Sequence, residues 1–343
     1  MKAGGDNFYM FGEVCTRDRN VWYRGTPQLS APFYTWDESK DYGWSDTDTA
    51  HNEALTAQHY EENTDVNSQP TSDNALLKGN EYHTPDHSQA SNLNVIDFPM
   101  HWNFESARSA FGVAYGDKYY NDATYSVTYV DSHDYAPDGA PENQRYAGTQ
   151  DTWAENLNLM FTWRGIPCIY YGSEVEFQKG KMIDVGPNAA LADTGRAYFG
   201  DYIEGDVTVN ADGSYTASGK VAETLNYPLS LHIQRLNKIR AAIPALRKGQ
   251  YSTEGVSGSA MAFKRRYTEG GVDSFVCVAI SGDATFTGIP GGTYTEAITG
   301  KTVTVAEGGT LTAESTSKGN MRIYVRNADF SGALGANAGP YLK

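Results

Sequence analysis

The sequence predicts an α/β unit with a parallel sheet, followed by an antiparallel β-sandwich. Strand-like and helical segments alternate along the chain up to about residue 248, and an acidic residue stands beside the end of each strand-like segment. From Tyr251 onward the segments become short, rich in Val, Thr and Tyr, and separated by Gly-rich turns. Alternation is typical of parallel sheets, whereas short strands with frequent turns are typical of a sandwich.

The predicted parallel strands are aromatic or β-branched runs at 8–12, 93–99, 125–130 and 165–174, and Pro99 is expected to close the second of them. A parallel strand covered on both faces has no place for an unpaired carboxylate, so we expect acids at its end. The polar residues beside these strand ends are Glu13, Asp97, His133 with Asp134, and Glu174. In a β/α barrel the catalytic residues lie at the carboxyl ends of the strands. Glu13 and the His133–Asp134 pair are therefore candidates for one active site.

Apolar residues at spacings of three and four predict helices at 103–115, 151–164 and 228–245. An Asp-Gly turn predicts a hairpin at 207–216. Four predicted parallel strands account for about half of an eight-stranded barrel.

The predicted domain division places the barrel part at 1–248, the sandwich at 249–327 and a Gly/Ala-rich, loosely held tail at 328–343. Within the first part, residues 16–92 form a long polar insertion whose start is dense in Trp, Tyr and Phe. That density favours a packed subdomain beside a site, with a short helix at about 50–60.

The formal charge of −15 argues against nucleic acid or an anionic membrane as a partner. Three scattered cysteines are too few for a disulfide framework or a zinc cluster, and no apolar run is long enough to cross a membrane. The first residues lack the apolar core of a signal peptide, which taken literally predicts a cytoplasmic protein. For a fragment it predicts nothing, so localisation is left open, and a complete protein is expected to be a monomer.

Four motifs in order resemble the α-amylase family of glycoside hydrolases. Segment 11–14 (Phe-Gly-Glu-Val) is similar to the family's fifth-strand motif, and segment 130–134 (Val-Asp-Ser-His-Asp) to its seventh-strand motif. Segments 94–99 and 165–174 resemble the sixth and eighth strands. The resemblance implies that the chain carries strands 5–8 of a (β/α)8 barrel of the TIM type and the family's C-terminal sandwich.

The same resemblance implies a role for each site residue. Glu13 would be the general acid/base, Asp134 would stabilise the transition state, and His133 would bind the sugar at the cleavage point. Tyr171 and Trp22 are candidate sugar platforms, although core packing explains either equally well. Arg145 is a further substrate-site candidate, expected to pair with an acid near the cleft.

The family's third- and fourth-strand motifs do not occur in this sequence. The fourth carries the nucleophilic Asp, two residues after an Arg, and no such Arg-x-Asp element precedes Glu13. Most ligands of the family's shared calcium site would also be missing, so we expect no metal ligands here. We therefore expect an α-1,4-glucan hydrolase that is N-terminally truncated and inactive, or nearly so, by itself.

Several alternatives stay open at the level of sequence. His133 and Asp134 could belong to a metal pair, although the nearest further histidines, His83 and His87, lie in a Pro-containing loop. The structural interpretation of Asp97 is favoured, whereas Glu174 could contact ligand or support a loop. The chain could also be a non-catalytic glucan-binding protein, or a fragment that is active only with a complementing N-terminal half.

Overall fold

The structure is a computed structural model, and it describes residues 9–13, 21–23, 26–28, 79–82, 94–114, 125–134, 137, 143–183, 185–335 and 339–343. Backbone alone is described at 21–23, 26–28, 99 and 113–114. The predicted helix at 50–60 and most of the 16–92 insertion lie outside the described residues.

Among its described residues, the first part of the chain contains short strands and six helices. Its strands are β1 (Phe11–Gly12), β2 (Val21–Tyr23), β3 (Thr26–Gln28), β4 (Asn94–Val95), β5 (Val127–Thr128), β6 (Ile166–Pro167), β7 (Gly205–Val209) and β8 (Tyr215–Gly219). Its helices up to residue 225 are α1 (Phe98–Trp102), α2 (Ala107–Ala114), α3 (Gln150–Thr162) and α4 (Lys220–Leu225). Single 3-10 turns lie at Ser173–Val175, Leu191–Asp193 and Gly200–Ile203.

The four predicted parallel strands lie side by side in chain order. β1 pairs with β4 and β5 with β6, both in parallel, and a parallel bridge between Ile96 and Val127 joins the two pairs. The described residues form this arc but no closed barrel, so the assignment to strands 5–8 stays a prediction.

All four strands are shorter than the sequence predicts. Pro167 lacks the N–H that would continue β6, and helix α1 starts at Phe98 and so ends the strand that contains β4. Pro99 therefore does not close a strand; it lies in the first turn of α1, where proline is tolerated. The prediction of a buried first strand is also wrong, since Phe11 is 52% exposed. Among the described residues, β1 has a neighbour on one side only.

The helix predictions hold with one division. α3 matches the predicted helix at 151–164, and α2, at Ala107–Ala114, lies within the one predicted at 103–115. The helix predicted at 228–245 is split into α5 (Pro228–Ala242) and α6 (Pro244–Lys248). Ile243 is extended between them because the residue before a proline avoids helical geometry. The Asp-Gly hairpin is confirmed as β7 and β8.

The C-terminal part is the predicted antiparallel sandwich. Its strands are β9 (Gln250–Ser252), β10 (Val256–Gly258), β11 (Met261–Tyr267), β12 (Ser274–Ile280), β13 (Ala284–Ile289), β14 (Gly292–Glu296), β15 (Thr302–Val305), β16 (Gly309–Ala313) and β17 (Met321–Arg326). One sheet has the order β15-β14-β17-β12-β11-β9 and the other the order β10-β13-β16.

Two apolar cores hold this part together. One lies between the two sheets and includes Phe275, Phe286 and Tyr294. The other lies between the six-stranded sheet and helices α3, α5 and α6, where the Trp163 ring packs against the rings of Tyr251 and Phe263. The sandwich and the helices therefore share one continuous core.

The prediction of a loosely held tail is wrong. Leu342 is buried in the helix-and-sheet core, and the Tyr341 hydroxyl donates to the Asp151 carboxylate over 2.7 Å. The Tyr341 ring also packs edge-on against His232. The burial of these two large apolar side chains, Tyr341 and Leu342, provides enough free energy to hold the C-terminal segment in place.

In the described part of the chain, no helix combines the length and the apolar character that a membrane crossing requires.

Candidate functional site

The parallel arc brings the carboxyl ends of its strands to one edge. Glu13 directly follows β1 and is exposed, and the segment with His133 and Asp134 follows β5. β4 alone lies between β1 and β5, so these two strands are roughly 10 Å apart at the usual strand spacing. The order of the strands thus brings the predicted acid/base and the predicted His-Asp pair to the same edge of the sheet.

A buried ion pair anchors the loop after β5. Arg145 Nε donates to Asp131 Oδ2 over 2.6 Å, and both side chains are almost fully buried. The other Asp131 oxygen accepts the Tyr146 N–H at 3.2 Å, while the Ser173 hydroxyl donates to Oδ2 at 3.3 Å. Burial raises the pKa of Asp131, and the Arg145 guanidinium opposes that shift.

Arg145 also ties two further loops to this point. Its Nη1 donates to the Gly195 carbonyl at 3.1 Å and its Nη2 to the Tyr171 carbonyl at 2.9 Å. The Tyr170 ring lies 4.5 Å from the guanidinium carbon. The expected pairing of Arg145 with an acid is therefore present, and the guanidinium supports the strand-end loops from below the surface. Its contact with substrate stays a prediction.

His133 and Asp134 stand at the surface above this anchor. Their side chains are 68% and 45% exposed, and His133 Nε2 lies 3.3 Å from Asp134 Oδ1. Arg196 fixes the backbone between them, since its Nε and Nη2 donate to the His133 carbonyl at 2.9 and 2.6 Å. Arg196 Nη2 is also 3.7 Å from Asp134 Oδ1. Both predicted site residues are therefore accessible to solvent. Their segment is held by the Asp131–Arg145 ion pair and by the hydrogen bonds from Arg196 to the His133 carbonyl.

Tyr171 is half-buried in an aromatic group beside this loop. Its hydroxyl donates to the Ala197 carbonyl at 3.1 Å, and its ring meets those of Tyr170, Phe177 and Phe199 edge-on or tilted. The centroid of the Tyr170 ring lies 6.4 Å from the centroid of the His133 ring. The side chain of Trp22 lies outside the described residues; its backbone is in the β2–β3 hairpin.

The two remaining strand-end acids serve different parts of the fold. Asp97 is fully buried, caps α1 by accepting the Met100 N–H at 3.0 Å, and lies 3.3 Å from Arg164 Nη2. This is the structural role that the sequence analysis favoured. The Glu174 carbonyl accepts from the Ser230 hydroxyl, and burial raises the pKa of its carboxyl group.

Sequence reasoning missed two contributors to this site. Asp131 lies in the strand-end motif at 130–134, and its position as the first charge after a strand was the available signal. Arg196 offered no signal, because it acts through a backbone carbonyl 63 residues away. Within the described residues, no three His, Cys, Asp or Glu side chains are arranged to hold a metal ion.

The motifs and the strand order point to the class of α-amylase-type glycosidases. The comparison with known sequences points to the same class. The sequence neighbours of this chain are members of the α-amylase family, so the resemblance is confirmed at that level. No protein-family model matches the chain.

Two curated relatives are named cyclomaltodextrin glucanotransferase. The protein of Geobacillus stearothermophilus is 24% identical over 239 residues, which are 65% of this chain and 27% of the relative. That of Paenibacillus macerans is 24% identical over 227 residues, or 63% of this chain and 26% of the relative. The match therefore spans about a quarter of the length of these relatives.

Several solved structures are similar to this chain at low identity. The γ-CGTase of alkalophilic Bacillus clarkii has a TM-score of 0.45 and 16% identity, covering 70% of this chain and 33% of that one. An Anoxybacillus α-amylase has a TM-score of 0.43 and 19% identity, covering 70% and 48%. A protein called AmyP, solved with maltose, has a TM-score of 0.42 and 14% identity, covering 70% and 50%.

Proposed function

We propose that the chain is part of a retaining α-amylase-type hydrolase that acts on α-1,4-glucosidic bonds in starch or maltooligosaccharides. The observation that carries the proposal is the exposed His133–Asp134 pair, anchored at a parallel strand end by the buried Asp131–Arg145 ion pair. The quoted motifs and the two curated relatives support it.

Each exposed group has a chemical task in such a reaction. Glu13 donates a proton to the leaving glycosidic oxygen and later takes one from the attacking water. Asp134 stabilises the positive charge that develops on the sugar ring, and His133 holds a ring hydroxyl by hydrogen bonding. Tyr171 and Trp22 offer aromatic faces for sugar rings, and Arg145 holds the loop that carries the pair.

The reaction also needs a nucleophilic carboxylate about 5 Å from the acid. The sequence has no Arg-x-Asp element before Glu13. In this proposal the 343-residue chain alone is therefore slower than a complete amylase by several orders of magnitude. Activity would require a polypeptide that supplies the first four strands of the barrel. A calcium site in the whole protein stays a prediction.

The test measures reducing-sugar release from starch by the purified chain, alone and mixed with a polypeptide that carries four such strands and an Arg-x-Asp element. We expect activity only in the mixture, and its loss on Glu13→Gln or Asp134→Asn. A rate close to that of a complete amylase from the chain alone would overturn the proposed dependence. An active mixture that tolerates both substitutions would overturn the assigned roles.

Glucan transfer is the second candidate, because both curated relatives carry the name glucanotransferase. Transfer and hydrolysis share the glycosyl-enzyme intermediate and differ in the acceptor, a sugar hydroxyl or water. Chromatography of the products from the active mixture separates the two: cyclic glucans indicate transfer, and linear maltooligosaccharides indicate hydrolysis.

A non-catalytic glucan-binding protein on the same scaffold is the third alternative, and the missing nucleophile would permit it. Binding of maltoheptaose that depends on His133, together with an inactive mixture, would favour this alternative over both enzymatic ones.

A further inference from the structure

We infer that a groove beside the 3-10 turn Gly200–Ile203 is a second binding site, for a neutral α-gluco-oligosaccharide. The groove has a volume of about 580 Å³, within the usual range for small-ligand sites. The residues that line the groove include Asp201, Tyr202, Glu204, Lys220, Glu223 and Tyr227. Glu13, His133 and Asp134 do not line it. The identity of the ligand rests on the proposed function.

The Tyr202 ring is a rigid aromatic platform in this groove. It stacks on Phe199 at 5.1 Å with an interplanar angle of 5°, and Phe177 meets it edge-on. The Thr224 hydroxyl donates to the Tyr202 carbonyl at 2.7 Å, which fixes its backbone against α4. Phe199 covers one face of the ring, yet Tyr202 is 41% exposed. A preoriented, partly exposed ring suits the apolar C–H face of a pyranose.

The charge around the platform selects a ligand without negative charge. Three acids, Asp201, Glu204 and Glu223, line the groove together with one lysine, Lys220, whose ammonium group is 2.9 Å from Glu223. Among the described residues, Asp201 and Glu204 have no ion-pair partner. Phosphorylated or carboxylated ligands would be repelled, whereas free carboxylates accept strong hydrogen bonds from sugar hydroxyls.

One chain segment connects the groove with the candidate catalytic site. Residues 196–204 begin with Arg196, which holds the His133 carbonyl, and end with Tyr202 and Glu204 in the groove. The aromatic contacts Tyr171–Phe199 and Phe199–Tyr202 follow the same path. A glucan bound in the groove would thus contact the segment that also positions His133.

Calorimetric titration of the full chain with maltoheptaose tests the inference. We expect Tyr202→Ala to weaken binding about tenfold, as for the loss of one aromatic stacking contact. Tyr202→Phe should keep the affinity within about twofold, since the ring remains. Tyr198→Ala is the matched control: Tyr198 is 76% exposed on the same segment but does not line the groove. Glu204→Gln provides a second, exposed variant, with an expected loss of about threefold.

The His133→Ala variant separates this inference from the proposed function. If maltoheptaose binding depends on His133 but not on Tyr202 or Glu204, the groove is overturned and the proposed function stands. If it depends on Tyr202 and not on His133, the groove is supported and the assigned role of His133 is contradicted. Absence of any binding to the unaltered chain overturns both. Tyr202-dependent binding of spermidine without binding of maltoheptaose would show a cation site and overturn the glucan assignment.

Discussion

Arg145 has a greater structural role than any other residue of the candidate site. Its nitrogens donate to the Asp131 carboxylate and to the carbonyls of Gly195 and Tyr171, so three loops meet on one guanidinium. The planar fork of arginine suits this arrangement, which a lysine could not reproduce. The exposed His133–Asp134 pair is thereby set on a rigid support.

Replacing Arg145 by Met should destabilise the protein by about 3–5 kcal/mol, because it leaves the Asp131 carboxylate buried without its partner. Urea unfolding of Arg145→Met, Asp131→Asn and the double variant measures the coupling. The double variant should lose less than the sum of the two single losses. Additive losses would mean that the ion pair does not act as a unit.

At the scale of elements, helix α3 begins with a well-formed cap. Thr149 is extended, and its hydroxyl accepts the Thr152 N–H at 3.3 Å, which satisfies one of the free donors of the first turn. The turns of α3 after this cap are buried on nearly all sides, because they pack against α5 and the six-stranded sheet.

Thr149→Ala should lower the free energy of unfolding by about 1 kcal/mol, whereas Thr149→Ser should cost little because the hydroxyl remains. Urea denaturation at neutral pH compares both with the unaltered chain. Equal losses for Ala and Ser would contradict capping as the cause and would point to the lost methyl group.

Two buried histidines make the packing of these helices sensitive to acid. Burial, with a smaller contribution from neighbouring Arg235, lowers the pKa of His232, on α5, to about 4, while the hydrogen bond with the Ala154 carbonyl opposes the shift. Burial likewise lowers the pKa of His101, on α1, to about 4. In the unfolded chain both groups have a pKa near 6.5. Between pH 4 and pH 6.5 the unfolded state therefore binds more protons than the folded state does.

Stability should therefore fall as the pH drops from about 6.5 to about 4, by up to about 3 kcal/mol for each histidine. Urea unfolding of the unaltered chain and of His232→Gln at pH 7 and pH 4.5 measures the effect. The variant should lose less stability than the unaltered chain between the two pH values. Leu191→Ala is the control, because this exposed leucine carries no titratable group. Identical acid losses in all three proteins would rule out His232 as a cause.

At the scale of the whole molecule, Arg265 joins the helices to the sandwich, and Arg240 joins α5 to the end of α3. Arg265 of β11 donates to the carbonyls of Thr162, Leu246 and Gly249, and Arg240 of α5 donates to those of Phe161 and Gly165. These carbonyls include the free acceptors at the ends of α3 and α6. Together with the shared apolar core, they make the two parts one packed body rather than two separate ones.

The C-terminal segment belongs to this body, and Leu342 tests it. Leu342→Ala should cost about 2–5 kcal/mol, the usual range for a fully buried leucine. Leu191→Ala, at an exposed leucine, should change stability by less than about 0.5 kcal/mol. Thermal and urea unfolding compare the two. A loss at Leu342 no larger than at Leu191 would mean that the segment is not held in the core.

Local signals were enough for much of this fold. The periodicity of α3, the Asp-Gly turn between β7 and β8, and the alternation of strand and turn after Tyr251 depend on neighbours within a few residues, and the structure agrees with them. The polar strand ends also identified Glu13, His133 and Asp134 as the candidate site, and the motifs identified the family.

What the sequence by itself determined is therefore the order of the elements and the resemblance to the α-amylase family, whereas the roles of the exposed site residues stay predictions. Tertiary structure alone decided that Asp131 and Arg145 form the buried anchor, that Arg196 holds the His133 carbonyl, that β1 is half-exposed and that Tyr341 and Leu342 enter the core. The physical reason is that burial and ion pairing arise between residues far apart in the chain, where no local period or turn signal reports them.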